Sequence, residues 1–321
     1  MTADTEIAGG SPTGAIGDFL YRHRARLALI GVIVALTIVT TTQSSVFFTW
    51  TNFEHILIQI SIVGILAVGT TMLMVSGGID LSIGSNLSFS GVIMGDLMAH
   101  GTSPVFAVGL GIGAATMVGL VNGTLAAYAK AHPFILTLGM LTLLQGAALL
   151  VSSLPISEIP DGFLNFGESE PFGIPLMVVC FLGIAVLVNV ILVMTKFGRW
   201  LYAIGGSESA ARLAGVPVRG IKMAVYALNG MLCGIAAALL LMQLTSAQAE
   251  MGAGLELTAI AAVAIGGTPL AGGKGSIAGT LLGVLLIGLI GNSLNLMSIS
   301  SNWQYVVQGA VIVIAVMAQR D

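Results

Sequence analysis

Charge is what this sequence has least of. Asp, Glu, Lys and Arg make up 8% of its 321 residues, where soluble domains carry about a quarter, so a surface bathed entirely in water is excluded. Cysteine is nearly missing: Cys180 and Cys233 both lie within apolar runs, where a thiol serves as a small core residue rather than as half of a disulfide or a metal ligand. No catalytic triad, metal cluster or nucleic-acid-binding basic patch can be assembled from so few polar groups, and no residue is assigned to catalysis or to a metal. Hydrocarbon and glycine fill the space instead. Hydrophobic residues reach 56%, mean hydropathy is +1.01 and glycine occurs 43 times, a composition that predicts an all-α polytopic membrane protein in contact with membrane lipid.

Apolar runs of roughly 17 to 25 residues fall near 27–46, 56–76, 82–99, 104–128, 133–152, 174–194, 222–245, 257–271, 277–297 and 303–318. They give about ten transmembrane helices, some broken or short. Arg22, Arg24 and Arg26 precede the first run, no small-residue cleavage site follows it, and it is expected to remain as an uncleaved span. The chain therefore divides into an N-terminal tail, 1–26, and a transmembrane domain, 27–321. With the N-terminus in the cytoplasm, Lys130, Lys196, Arg199, Arg212, Arg219, Lys222, Lys274 and Arg320 all thread to the same side as the three N-terminal arginines. The outer loops are left with acids, Glu54, Glu158, Asp161, Glu168, Glu170, Glu250 and Glu256. Segregation of this kind is the positive-inside pattern and places both termini in the cytoplasm. One span more or fewer destroys it.

Glycines recur at four-residue spacing within the runs, at Gly91 and Gly95, Gly109 and Gly113, Gly119 and Gly123, Gly230 and Gly234, and Gly279 and Gly283. Small residues let helix backbones approach where lipid supplies no hydrophobic drive. These pairs predict close packing within the bundle or a seam with a second subunit. The longest outer connection, 153–173, holds prolines and acids and is expected to form a small external cap.

Two glycine-rich interruptions stand out. In Met74-Val-Ser-Gly-Gly-Ile-Asp-Leu-Ser-Ile-Gly84, Gly77 and Gly78 can end one helix, and Asp80 or Ser82 can cap the next. The second runs from Ile265 to Ser276. It contains Gly273-Lys274, yet a phosphate loop needs Gly at 268 and Ser or Thr at 275, where Thr268 and Gly275 stand. Broken backbone at membrane depth persists only against protein or a water-filled cavity. Both breaks are accordingly candidates for a translocation path, the alternative being plain cytoplasmic turns. The path candidates are Gly77, Gly78, Asp80, Ser82 and Asn86 from the first break, Gly266 and Gly267 from the second, and Asn292 and Asn295 further on. Other intramembrane amides, Gln59, Asn122, Gln145 and Asn229, suit either sugar hydroxyls or interhelical hydrogen bonds.

Five of the eleven Lys and Arg lie between Lys196 and Lys222. Within that cationic segment Ser207 is a good N-cap, Glu208 suits a helix's positive end and Gly215 can stop the helix, which predicts a two-turn surface helix. Two turns do not persist alone in water, so this helix packs on something. The stretch FGRWLYAIGGSESAARLAG from Phe197 to Gly215, followed by VPV, resembles the coupling segment of ribose-type permease subunits of bacterial ABC importers. GGIDLSIGS, HPFILTLG and ELTAIAAVAIGGTPLAGGKGSIAGT resemble the same family in the same order, and the similarity extends from the first span to the last.

The resemblance implies the transmembrane subunit of an importer for a monosaccharide, pentose or hexose, in the bacterial inner membrane. It implies three partners: a second permease subunit forming a homodimer or heterodimer, a cytoplasmic ATPase, and an extracytoplasmic sugar-binding protein. By motif position Ser207, Glu208, Ala211, Arg212, Leu213 and Gly215 couple to the ATPase, which binds ATP and Mg; this chain is expected to hold no cofactor and to be no enzyme itself. The sequence departs from the family where Arg is common, at Gln243, where Asp is frequent, at Thr258, and where Ser is usual, at Pro269. Joint loss of Arg and Asp predicts that positions 243 and 258 are neighbours. An ABC permease for branched-chain amino acids is the nearer alternative. An ion-coupled carrier is disfavoured by the scarcity of intramembrane acids beyond Asp80 and Asp96, and an intramembrane aspartyl protease by the lack of a second aspartate facing Gly78-Ile-Asp80.

Overall fold

The computed structural model describes residues 12–129 and 131–300, with single positions between 303 and 313. Twelve α-helices account for most of it: α1 Pro12–Gln43, α2 Trp50–Val75, α3 Ile83–Ala99, α4 Pro104–Tyr128, α5 Pro133–Val151, α6 Asp161–Gly167, α7 Leu176–Met194, α8 Lys196–Gly206, α9 Glu208–Leu213, α10 Val218–Leu244, α11 Leu255–Ile265 and α12 Ile277–Leu296. The protein is all-helical, and α2, α4, α5, α7, α10 and α12 are long and apolar enough to cross a membrane. The apolar part of α1, Leu29–Gln43, and α11 are shorter. The tenth run, 303–318, lies largely outside the described residues, as do Lys130 and Arg320.

Nine of the ten apolar runs are helices, with two changes at their ends. α1 starts at Pro12, well before the run at 27–46, because helical hydrogen bonding continues through the polar stretch. α11 stops at Ile265 rather than at 271: Gly266 and Gly267 end it, and Gly267 takes φ +90°, a conformation that costs a residue with Cβ about 1 kcal/mol or more.

Burial sorts the helices. The apolar stretches of α2 and α10 are 78% and 72% buried, those of α4, α5 and α7 only 22%, 17% and 33%. The first two form the inner pillars and the others present Leu, Val and Phe outward, as lipid solvation requires. Glycine sets the crossing of α10 with α4: a methyl on Gly230 would run into the Ala115 carbonyl, and one on Gly119 into the Tyr226 carbonyl. Gly91, Gly95, Gly123, Gly234, Gly279 and Gly283 are likewise covered by neighbours, whereas Gly109 and Gly113 face open space. Four of the five glycine pairs thus serve packing within the subunit.

The connections gather at two ends. At one, the linker after α10 folds back on α3: Gly252 N–H donates to Ser88 Oγ at 2.9 Å, and Ile156 and Ala247 exchange backbone hydrogen bonds of 2.9 Å. Within the connection 153–173, α6 packs by Gly167 against Met242 of α10. At the other end lie the breaks 76–82 and 266–276 and the segment 195–217.

Candidate translocation and coupling site

The first break is built from polar side chains. α2 ends in a left-handed turn at Gly77, φ +77°, with Gly77 and Gly78 N–H donating to Met74 and Leu73 carbonyls. Asp80 then turns inward and is buried. Its Oδ1 accepts from the Ser82 amide at 2.9 Å and the Ser82 hydroxyl at 2.6 Å, while Asn122 Nδ2 donates to Ser82 Oγ at 2.9 Å and reaches both carboxylate oxygens at 3.4 Å. Asp80 thus fastens the turn that leads into α3 by accepting the Ser82 amide, while Ser82, the N-cap residue, makes no side-chain cap bond. Tyr226 donates to the Ile79 carbonyl at 3.0 Å and Thr137 Oγ1 accepts from Leu81 N–H at 3.1 Å. α4, α5 and α10 thus each hold this break. Asn86 donates to Ala115 O at 3.1 Å. Asn229, fully buried, stands near Asp80 with its Oδ1 against Gly69, yet neither of its polar side-chain atoms makes a hydrogen bond of good geometry.

The second break is built from backbone. Gly266 lies on Gly279, and Gly283 on Ala262, so α11 and α12 touch main chain to main chain. Gly272, Gly273 and Gly275 all have positive φ, of 84°, 75° and 150°. Gly273 N–H donates to the carbonyl of Val75, the last residue of α2, at 2.9 Å. The two breaks, separated by more than half of the sequence, are therefore in contact.

The cationic segment closes over them. Thr195 caps α8 by accepting from Gly198 N–H at 3.2 Å, and Leu201 and Ile204 are buried on its inner face. α8 was not foreseen; its signal was Phe197, Leu201 and Ile204 at helical spacing behind a threonine. α9 follows, capped by Ser207, whose Oγ accepts from Ala210 N–H at 3.3 Å, and ended by Gly215 at φ +81°. It is shorter than the two turns expected. Glu208 accepts from Arg212 at 2.8 Å and from Lys222 of α10 at 2.6 Å. Hydrogen bonding to Lys222, with Arg212 adding to it, holds the Glu208 carboxyl below its ordinary range. Ala211 is buried, whereas Leu213 is 91% exposed, an apolar side chain offered outward. Arg219 lies over the Tyr128 ring, 4.9 Å from its centroid.

At the opposite end a cavity of about 500 Å³ opens between α2, α10, α11 and α12. Its wall is mostly Ile, Leu and Val, with Gln59, Gln243 and Thr258 as polar groups. None of the nine path residues expected from the sequence lines it. Gly77, Gly78, Gly266 and Gly267 belong to the breaks, Asp80, Ser82 and Asn86 to the buried polar cluster, and Asn292 forms a reciprocal amide pair with Asn52, at 2.7 and 3.3 Å. Asn295 is exposed near the end of α12. Gln243 and Thr258, expected to be neighbours, share the cavity wall. Among the described residues no group of three His, Cys, Asp or Glu is placed to hold a metal.

Residues 52–316 match the family described as branched-chain amino acid transport system / permease component. Ribose import permease protein RbsC of Escherichia coli K12 is 40% identical over 296 residues, covering 90% of this chain and 92% of the relative. The protein of the same name from Bacillus subtilis is 40% identical over 294 residues, 91% of each. Fructose import permease protein FrcC of Rhizobium meliloti is 34% identical over 308 residues, 93% of this chain and 86% of the relative. No solved structure matches.

Proposed function

Because this chain belongs to the permease-component family of bacterial ABC importers, which includes ribose-type permeases, we propose that it is the inner-membrane subunit through which a monosaccharide, pentose or hexose, enters the cytoplasm. The family's description names branched-chain amino acids, whereas relatives matched over nine-tenths of the chain are sugar permeases, and the sugar reading follows those relatives. A cytoplasmic ATPase binds ATP and Mg and supplies the work, a sugar-binding protein delivers the solute from outside, and a second permease subunit completes the path. The chain itself is a conduit and not an enzyme.

The observation that carries this reading is the polarity of the bundle. One end holds the acid-bearing connections 153–173 and 245–254 and the cavity with its amides; the other holds the cationic segment and both breaks. That arrangement supports ten spans with both termini in the cytoplasm, α9 facing the ATPase and the cavity facing the sugar-binding protein. Exposed Leu213 and the carboxylate-fastened turn behind it give the ATPase an apolar knob on a stiff mount. Gln59, Gln243 and Thr258 are the groups we assign to sugar hydroxyls.

The test is uptake into right-side-out vesicles carrying the complete importer and loaded with ATP, with labelled D-ribose, D-fructose and L-leucine offered separately. ATP-dependent accumulation of a sugar and not of leucine is expected. Accumulation of leucine alone, or uphill transport by this subunit without the ATPase, defeats the proposal.

A further inference from the structure

The coupling segment and the two breaks meet in a joint made of main chain. α8 ends in Gly205-Gly206. A methyl on Gly205 would strike the Val75 carbonyl and lie against the amide of Gly273. One on Gly272 would come within 2.7 Å of Gly77 N, and one on Gly273 within 3.1 Å of Gly206. Val75 O already accepts the Gly273 amide, and Tyr202 on α8 donates its hydroxyl to Gly275 O at 2.9 Å. Three segments distant in sequence therefore touch through glycine backbone, with one tyrosine hydroxyl pinning the outside.

We propose that Gly205, Gly273 and Tyr202 are positioning residues for transport, forming a joint that hands movement of the coupling segment directly to α2 and α12. This rests on the permease reading above. Contacts between side chains absorb displacement by changing rotamer; a glycine joint has no rotamers to change. The packed backbone moves as one body or shifts between discrete arrangements. What it moves is defined by the structure. Val75 ends α2, and Ser276, just after Gly275, caps α12 by accepting from Gly279 N–H at 3.2 Å. α2 and α12 are latched to each other along their length by Thr71 with Thr280 at 2.6 Å and Asn52 with Asn292 at 2.7 Å. The far halves of these two helices form walls of the 500 Å³ cavity, with Gln59 and Ile60 on one and Ile287 and Gly288 on the other. Displacement of α8 at one end of the molecule thus reshapes the cavity at the other.

The experiment measures solute moved per ATP hydrolysed by the complete importer in vesicles, using D-ribose or D-fructose, whichever the wild-type importer carries. Gly205→Ala is expected to lower that ratio about tenfold, and Tyr202→Phe, which keeps the ring and removes only the hydroxyl, about threefold. Because it is a ratio, it is insensitive to how much transporter assembles, so a merely structural role leaves it unchanged. Should Gly205→Ala fail to assemble, Tyr202→Phe decides alone: a wild-type ratio in that variant overturns the joint. A wild-type importer that hydrolyses no extra ATP when sugar is delivered would instead remove the permease reading, and the joint with it.

Discussion

The two ends of this bundle are built on opposite rules. At the end that carries the breaks, backbone is packed on backbone, and the Asp80 carboxylate is matched by Ser82 and Asn122. At the end that carries the cavity, helices stand apart behind apolar walls with three polar side chains. The function we propose calls for both: stiffness at the end assigned to the ATPase, and room with sparse hydrogen-bonding groups at the end assigned to the solute. If this contrast is real, substitutions at the first end damage assembly and coupling, and those at the second change transport with little effect on stability.

The sharpest challenge is at Asp80. Alanine there leaves the Ser82 amide and the Ser82 hydroxyl without their shared acceptor, each buried donor costing about 1–3 kcal/mol, while Asn122 keeps its bond to Ser82 Oγ. Asp80→Ala is expected to lose at least about 2 kcal/mol and to appear as a large drop in the thermal midpoint of the purified protein. Asp80→Asn, which keeps one acceptor oxygen, should lose less than half as much. Equal midpoints for wild type and Asp80→Ala would show that this end is not held by polar side chains.

Next in size is the backbone contact at the second break. Gly273 and Gly101 both have positive φ, 75° and 83°, but only Gly273 is crowded. Gly101→Ala isolates conformational strain, about 1 kcal/mol. Gly273→Ala adds displacement of Gly206 and should cost about 2 kcal/mol in total. Matched losses in unfolding measurements would mean that close approach contributes nothing and that the contrast between the ends is overstated.

At the cavity end the expected effect moves from stability to transport. A guanidinium introduced at position 243 enters an apolar wall with no charge to meet it, which is costly where water is scarce. Gln243→Arg alone should cut sugar uptake about tenfold, and the double variant Gln243→Arg with Thr258→Asp should recover most of it, since both positions share the wall. Uptake equally poor in both variants would separate positions 243 and 258 in function.

Legibility from sequence follows the range of the interactions involved. Helix existence is a local property of hydropathy, and nine runs became helices. The breaks were legible because paired glycines and an acid do not continue a helix. The cap at Ser207 and the stop at Gly215 were legible for similar local reasons. The mutual contact of the breaks was not, because whether a glycine accommodates a turn or a neighbour depends on what packs against it; Gly273 does both, Gly101 only the first. The cavity was hidden differently: Gln59, Gln243 and Thr258 come from three helices far apart in sequence, while Asn292, a reasonable path residue by type, is consumed by its pair with Asn52. α8 escaped notice because one amphipathic face among so many apolar helices makes a weak signal.

The smallest effect concerns the charged skin over the stiff end. Glu208 has its carboxyl held below its ordinary range by Lys222 first and Arg212 second. A group whose value is depressed on folding stabilises the fold above its unfolded value, about 4.3, and loses that contribution as pH falls through the lower folded value. The Glu208 side chain is 41% exposed, so solvent screening limits the gain to a few tenths of a kcal/mol. Wild type minus Glu208→Gln, compared in thermal midpoint, should therefore be small and constant from pH 7 to about 5, shrink below about 4.3, and weaken with added salt. A difference that grew on acidification would mean that the carboxylate destabilises α9, and that the mount of the coupling helix owes its stiffness to the buried Ala211 face and the glycine joint rather than to its ion pairs.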